Sequence, residues 1–211
     1  MRSHFADELE SVRRNMLLMG DLAVESVSYA LKCVVKTEGA NYEEASELEF
    51  RIDDLNRSIH NECLNILTLQ APVARDARLV IWILEGIVDL EQIGDYAFEA
   101  SDLALNSPRC PVTQVTSQVV AFGEGVRGIL AIALDTWKNL DRAQGLALRS
   151  RQASVRSDCQ NLTDKLNQLV VSPGGGQVYI SLILICKHFE RMAHHAVSVA
   201  EQAAEAAPAE R

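Results

Sequence analysis

Asp89-Leu-Glu-Gln-Ile-Gly-Asp95 and His188-Phe-Glu-Arg-Met-Ala-His194 are two copies of one segment, related by a shift of 99 residues that places Glu190 on Glu91. The apolar positions around both copies match as well, and their spacing alternates between four and three residues. These matched pairs are Ile83/Leu182, Ile87/Cys186, Leu90/Phe189, Gly94/Ala193 and Ala97/Ala196. Such spacing gives a helix one apolar face. The sequence therefore predicts a duplicated helical unit.

The rest of the chain also favours helices. Alanine, leucine, valine, glutamate and arginine dominate, and long stretches contain neither glycine nor proline. This composition is typical of helices and argues against a sheet. The breaks in the pattern predict helices at 5–37, 42–68, 73–105, 113–138, 141–170 and 177–205. We therefore predict an all-α fold of six long antiparallel helices in two tandem three-helix bundles, residues 1–106 and 107–211.

Charge, cysteine content and hydropathy exclude several classes of protein. A net charge of −9 without a Lys/Arg cluster argues against nucleic-acid binding and is compatible with cation binding. The five cysteines are scattered and form no CxxC pair, which predicts free thiols in a reducing compartment. Residues 1–7 lack the apolar core of a signal peptide, and the most apolar stretches, 79–84 and 178–186, are too short to cross a bilayer. We predict a cytoplasmic protein without stable membrane insertion.

Two acidic pairs predict a metal site in the first bundle. Glu91 and Asp95 lie four residues apart, so one face of the third helix carries both carboxylates, and Glu49 and Asp53 repeat this spacing on the second helix. Reflection through Pro72, in the turn between the two helices, exchanges one pair with the other. Four carboxylates are therefore predicted to converge at one level. They would repel one another unless their pKa values rise or a cation binds, and oxygen ligands suit magnesium, calcium, manganese or iron.

The same reflection predicts a weaker site in the second bundle. Reflection of Glu190 and His194 through Pro173 reaches Arg156 and Gln152, where the first bundle has acids. Arg156 is predicted to neutralise Glu190 directly. Only Glu190 and His194 then remain as strong ligands, and two ligands one turn apart make an open site of low affinity.

Three motifs, at residues 70–78, 89–95 and 189–195, resemble those of the PhoU family, bacterial accessory and regulatory proteins of phosphate transport. Gln70-Ala-Pro-Val-Ala-Arg-Asp-Ala-Arg78 is similar to the family's Q-x-P-x-A-x-D-x-R turn. Residues 89–95 are similar to its D-L-E-R-I-G-D motif, and residues 189–195 to its L-E-R-I-A-D-H motif. The resemblance implies two bundles related by pseudo-two-fold symmetry, with metal bound through E/D-x-x-x-D motifs. The pairs Glu49/Asp53 and Glu91/Asp95 match that motif, whereas the second bundle keeps only Glu190.

The resemblance also implies a role without catalysis. Family members are thought to relay the state of the phosphate ABC transporter to a membrane histidine kinase and to restrain phosphate-starvation genes. The implied partners are the transporter's ATPase subunit, the sensor kinase and a second copy in a homodimer. The metal stays open among iron, zinc, magnesium and manganese.

Two other interpretations remain open at the level of the sequence. Helical bundles lined by carboxylates also form di-iron oxidases, which use Glu-x-x-His pairs. No glutamate in this chain has a histidine three residues later, which argues against that enzyme class. The second alternative is a metal-free helical interaction module in which the acids are simply solvated.

Overall fold

The computed structural model describes residues 2–70, 72–171 and 176–207, with side chains from residue 5 onwards. No strand occurs in these ranges, so the predicted all-α fold is confirmed. None of the described helices combines the length and hydropathy needed to span a membrane. The helices are α1 (Arg2–Val34), α2 (Tyr42–Leu69), α3 (Ala74–Asn106), α4 (Thr113–Asn139), α5 (Arg142–Ala147), α6 (Arg151–Val170) and α7 (Gly176–Ala206).

The turn between α1 and α2 is fixed by side chains that satisfy helix ends. The helix α1 ends at Val34, three residues before the predicted end, and Lys36 has a left-handed backbone with φ 58°. The Lys36 ammonium donates to the carbonyl oxygens at the end of α3, with distances of 3.3 Å to Leu105 and 2.8 Å to Ser107. The Asn41 side chain accepts from the backbone N–H of Glu44 at 2.9 Å and caps α2. Lys36 therefore lies outside α1, where its ammonium group caps the carbonyl end of α3.

The predicted fifth helix is interrupted. Instead of one helix over 141–170, α5 is joined to α6 by a 3-10 turn at Leu148–Ser150. Gly145 of α5 packs directly on the backbone of α7, where a Cβ on Gly145 would overlap the carbonyl oxygen of Ala200. Leu148 is buried, and Arg149 pairs with Glu201 of α7 at 2.6 Å. The interruption follows from this close approach, because the chain must turn to continue as α6 after contacting α7.

A substitution at Gly145 tests this close approach. Gly145→Ala is expected to destabilise the protein by about 1–3 kcal/mol, because the new Cβ meets backbone that cannot move aside easily. The matched control is Gly128→Ala in α4, where a Cβ would meet nothing within 4 Å. That change is expected to stabilise by about 0.5–1 kcal/mol through helix propensity. Urea unfolding of both variants measures the difference, and equal midpoints would contradict the packing at Gly145.

The core is continuous between the two halves of the chain, and α3 and α7 lie at its centre. All ten matched positions of the duplicated apolar seam are buried. The helices α3 and α7 run antiparallel, since Asp89 contacts His195 while Tyr96 contacts His188. The 99-residue shift exchanges these two contacts, as a pseudo-two-fold axis between the helices requires. The proposed domain boundary between residues 106 and 107 stays a prediction.

The packing of α1 on α4 shows the same symmetry. Leu134 covers Gly20, and Leu31 lies 2.6 Å from where a Cβ on Gly123 would be. A shift of 103 residues carries Gly20 onto Gly123 and Leu31 onto Leu134, so the two leucine–glycine contacts are equivalent. The small residues let the two helices approach closely across the axis. The duplication therefore extends beyond the motif that revealed it.

Candidate metal centre between α2 and α3

Close packing of α2 on α3 sets the position of the acidic residues. Ile52 lies against Gly94, and a Cβ at Gly94 would be only 2.9 Å from Ile52 Cδ1. Both residues are buried, and each immediately precedes an acid of the predicted site, Asp53 on α2 and Asp95 on α3. The missing side chain at Gly94 thus brings the two backbones together at the level where these carboxylates leave the core.

The structure brings three of the four predicted carboxylates together. One oxygen each from Glu49, Asp53 and Asp95 lie within 4.8 Å of one another, and all three residues are half-buried. Glu91 lies outside this triangle, although it is close enough to raise the pKa values of Glu49 and Asp95. Glu91, the fourth predicted ligand, therefore adds negative charge near the triangle but is not one of its three members.

No ion pair among the described residues neutralises the negative charge of the triangle. Burial raises the pKa of Asp95 to about 6, and the charges of Glu91, Asp53, Glu49 and Glu99 add to the shift. Burial and Asp53 also raise the pKa of Glu49, against the opposing effect of Arg57. Among the described residues, no lysine, arginine or histidine forms an ion pair with the four acids, and Asp95 instead accepts from Gln92 Nε2 at 3.2 Å.

The donor set fits a hard cation. Carboxylate oxygens bind magnesium or calcium at about 2.0–2.6 Å, so oxygens on opposite sides of such an ion are roughly 4–5 Å apart. The separations within the triangle are at most 4.8 Å and so do not exceed that span. A bound cation would also relieve the repulsion that raises the pKa of Asp95. Glu49, Asp53 and Asp95 would be its direct ligands, with Glu91 beside them.

The second bundle departs from its predicted arrangement. Glu190 pairs with Lys187, one turn earlier on α7, at 2.9 Å. The predicted neutralising residue, Arg156, is exposed and forms no ion pair among the described residues, and Gln152 is also exposed. Lys187 takes this role because its position on the same helix lets it reach Glu190 without contact between helices. Pro173, used for the reflection, lies outside the described residues.

Glu190 and His194 form no metal triangle in the described part of the chain. Burial raises the pKa of Glu190, but hydrogen bonds from Lys187 and Cys159 outweigh it and the net shift is downward. His194 is half-buried, and its Nε2 has no hydrogen-bond partner. In the second bundle, Lys187 therefore supplies a positive charge of the kind that the acids of the first bundle lack.

The structure also contains a polar network between α3 and α7 that the sequence did not predict. His195 Nδ1 lies 2.7 Å from Asp89 Oδ1, and Gln202 Nε2 donates to Asp89 Oδ2 at 2.6 Å. The Tyr96 ring stacks at 5.6 Å from the ring of His188 and 5.8 Å from that of His195. The signal was available, because the 99-residue shift aligns Asp89 with His188 and Tyr96 with His195. Its interpretation required knowing that the symmetry axis passes between the two helices.

Known proteins resemble this chain over nearly its full length. The family model for the PhoU domain matches residues 16–104, which include all four acids of the first bundle. A relative from Synechocystis is 31% identical over 201 residues, covering 95% of this chain and 90% of the relative. The chain belongs to the PhoU family. The Synechocystis protein is named a phosphate-specific transport system accessory protein PhoU homolog, as is a Pseudomonas putida relative, 28% identical over 93% of this chain and 78% of its own length.

Solved PhoU structures have the same fold. The crystal structure of PhoU from Pseudomonas aeruginosa aligns with a TM-score of 0.86 at 27% identity, over 94% of this chain and 96% of that one. The phosphate transport system regulatory protein PhoU from Streptococcus pneumoniae aligns with a TM-score of 0.85 over 94% of each chain. Its identity of 21% supports the fold alone. The predicted family membership is therefore confirmed.

Proposed function

We propose that this PhoU-family protein is an accessory regulator of phosphate transport that restrains the phosphate-starvation response when phosphate is plentiful. The observation that carries the proposal is the likeness to the Synechocystis accessory protein, which spans 95% of this chain. A match over nearly all of both chains supports a shared role better than a match of one domain.

The protein would act by docking in the cytoplasm. Its proposed partners are the ATPase subunit of the phosphate ABC transporter and a sensor histidine kinase, and the proposed assembly state is a homodimer. Exposed apolar side chains on α3 and α7 support a docking role. Ile81 is 45% exposed and Val88 52% on α3, and Ile180, the counterpart of Ile81, is 49% exposed on α7. Such exposed apolar side chains give a partner apolar surface to bury on docking.

The proposed cofactor is a divalent or trivalent cation held by Glu49, Asp53 and Asp95. The triangle of carboxylates without a basic partner supports this assignment. We infer a structural or signalling cation and no catalysis. A carboxylate-bridged oxidase would need histidine ligands in the bundle, and no histidine belongs to the triangle. Elemental analysis of protein purified without chelator identifies the metal, and a metal-free interaction module would give background levels.

A deletion strain tests the regulatory role. Deletion of the gene is expected to raise output from a phosphate-starvation reporter in phosphate-rich medium, because the restraining contact with the kinase is lost. A plasmid copy of the wild-type gene should restore low output. The Asp54→Asn variant, altered at an exposed acid beside the triangle, should restore it equally. Unchanged reporter output in a strain lacking every paralogue would contradict the proposed role.

A further inference from the structure

A cavity that shares no lining residue with the acidic triangle lies at the other end of α1 from the chain's start. It has a volume of about 490 Å³ and lies between the end of α1, the α3–α4 connection and the first turns of α4. Pockets of about 300–1,000 Å³ are typical of small-molecule sites. The lining comprises apolar residues (the apolar wall) and residues with basic, hydroxyl or thiol groups (the polar wall). Its lining residues are Val34, Val35, Lys36, Arg109, Cys110, Thr113, Thr116, Ser117, Val120 and Ala121.

Two cations line this cavity without an acidic partner. Neither Lys36 nor Arg109 forms an ion pair with a carboxylate in the part of the chain that the structure describes, although the chain has a net charge of −9. Arg109 is held beside Lys36 by a hydrogen bond of 3.4 Å to the Lys36 carbonyl oxygen. The ammonium of Lys36 is fixed by carbonyl oxygens at the end of α3. Lys36 therefore supplies a fixed charge, while Arg109 keeps free donors.

Neutral donors complete the polar wall. The hydroxyl groups of Thr113 and Thr116 have no hydrogen-bond partner among the described residues, whereas Ser117 donates to the Thr113 carbonyl oxygen at 3.0 Å. The residue that precedes α4, Val112, offers no side-chain acceptor to the first N–H groups of that helix. These groups add partial positive charge at the same wall. The polar wall thus combines cations with free O–H donors, and this combination favours a ligand rich in hydrogen-bond acceptors.

We propose that this cavity binds a phosphate group, either free or carried by a small molecule. A phosphate group near neutral pH carries a charge of about −1.5 to −2, which matches the two cations, and its oxygens accept from guanidinium and hydroxyl donors. The volume exceeds that of a free phosphate ion, and the apolar wall at Val34, Val35 and Val120 gives room for an attached group. The inference goes beyond the proposed accessory function, which assigns no small-molecule ligand.

The rate of Cys110 alkylation can show whether a ligand occupies the cavity. Cys110 lines the cavity and is half-buried, whereas Cys33, Cys63, Cys159 and Cys186 are buried. Burial also raises the pKa of Cys63 to about 12 and that of Cys159 to about 11, which slows their alkylation further. Iodoacetamide should therefore modify Cys110 first, and a ligand in the cavity should slow that reaction.

The test measures Cys110 alkylation in the full-length, chelator-treated protein with inorganic phosphate, ATP or adenosine. Equilibrium dialysis with radiolabelled phosphate and ATP gives the affinities directly. Protection by phosphate would support the free ion as ligand, and protection by ATP alone would support a phosphorylated small molecule. Protection by adenosine, or by none of the three at millimolar concentration, would overturn the proposal. The chelator keeps metal-bound phosphate at the acidic triangle from contributing.

Variants of the polar-wall residues distinguish binding in this cavity from a general effect of protein charge. Arg109→Ala should weaken binding about 10-fold, through loss of one charge-assisted contact, and Arg109→Glu should abolish it. Thr116→Val should weaken it about 2- to 10-fold. The control is Arg127→Ala on α4, which removes an exposed arginine paired with Glu124 at 2.7 Å outside the cavity. Equal affinities for all four variants would overturn the assignment, while the reporter test of the accessory function would be unaffected.

Discussion

Replacement of Asp53 and Asp95 together by asparagine is expected to abolish tight metal binding. The change removes two of the three carboxylates whose oxygens lie within 4.8 Å of one another, and amide oxygens are weaker ligands that bring no charge. The affinity for manganese should fall by at least about 100-fold. Elemental analysis after dialysis and the thermal shift caused by added manganese measure the effect.

Glu190→Gln is the matched control for that prediction. Glu190 is the counterpart of Glu91 in the second bundle, and Lys187 already neutralises it at 2.9 Å. The control should therefore retain the metal content of the wild-type protein. If Glu190→Gln removed the metal while the Asp53/Asp95 variant kept it, the assignment of the site to the first bundle would be reversed.

Without metal, the acidic triangle should make the protein less stable as the pH rises. Burial and neighbouring acids raise the pKa of Asp95 from 3.8 to about 6, so the folded state binds more protons than the unfolded state between these values. The free energy of unfolding should therefore fall as the pH rises through this window. The full shift corresponds to about 3 kcal/mol, and solvent screening of a half-buried group reduces this to about 1–2 kcal/mol.

Asp95→Asn isolates this effect in chelator-treated protein. The melting temperatures of the variant and the wild-type protein should differ less at about pH 4.5, where Asp95 of the folded protein is still protonated, than at higher pH. At about pH 7.5 the variant should melt roughly 2–8 °C higher, because it lacks the buried charge. Asp54→Asn, at an exposed acid of α2, should show no such pH-dependent difference. An Asp95→Asn variant that melts lower than the wild-type protein at both pH values would contradict the prediction.

The sequence by itself determined that the chain is helical and which faces of the long helices are apolar. The 99-residue repeat, the absence of strands and the pairing of Glu49 with Asp53 and of Glu91 with Asp95 all depend on helix periodicity, which is a local property. Reflection through Pro72 also placed the acids of α2 and α3 at one level. A short turn between antiparallel helices fixes their register, so this step required little knowledge of distant contacts.

Only the tertiary structure decided which of these groups meet. The packing of Ile52 on Gly94 turns Asp53 and Asp95 toward each other and leaves Glu91 outside the triangle. The rotation of a helix about its own axis depends on every neighbour that it packs against, and side chains far apart in the sequence set it. The same reason explains why Lys187, and not Arg156, neutralises Glu190. The cavity beside Arg109 arises likewise, where two helix ends and a connection from separate parts of the chain meet.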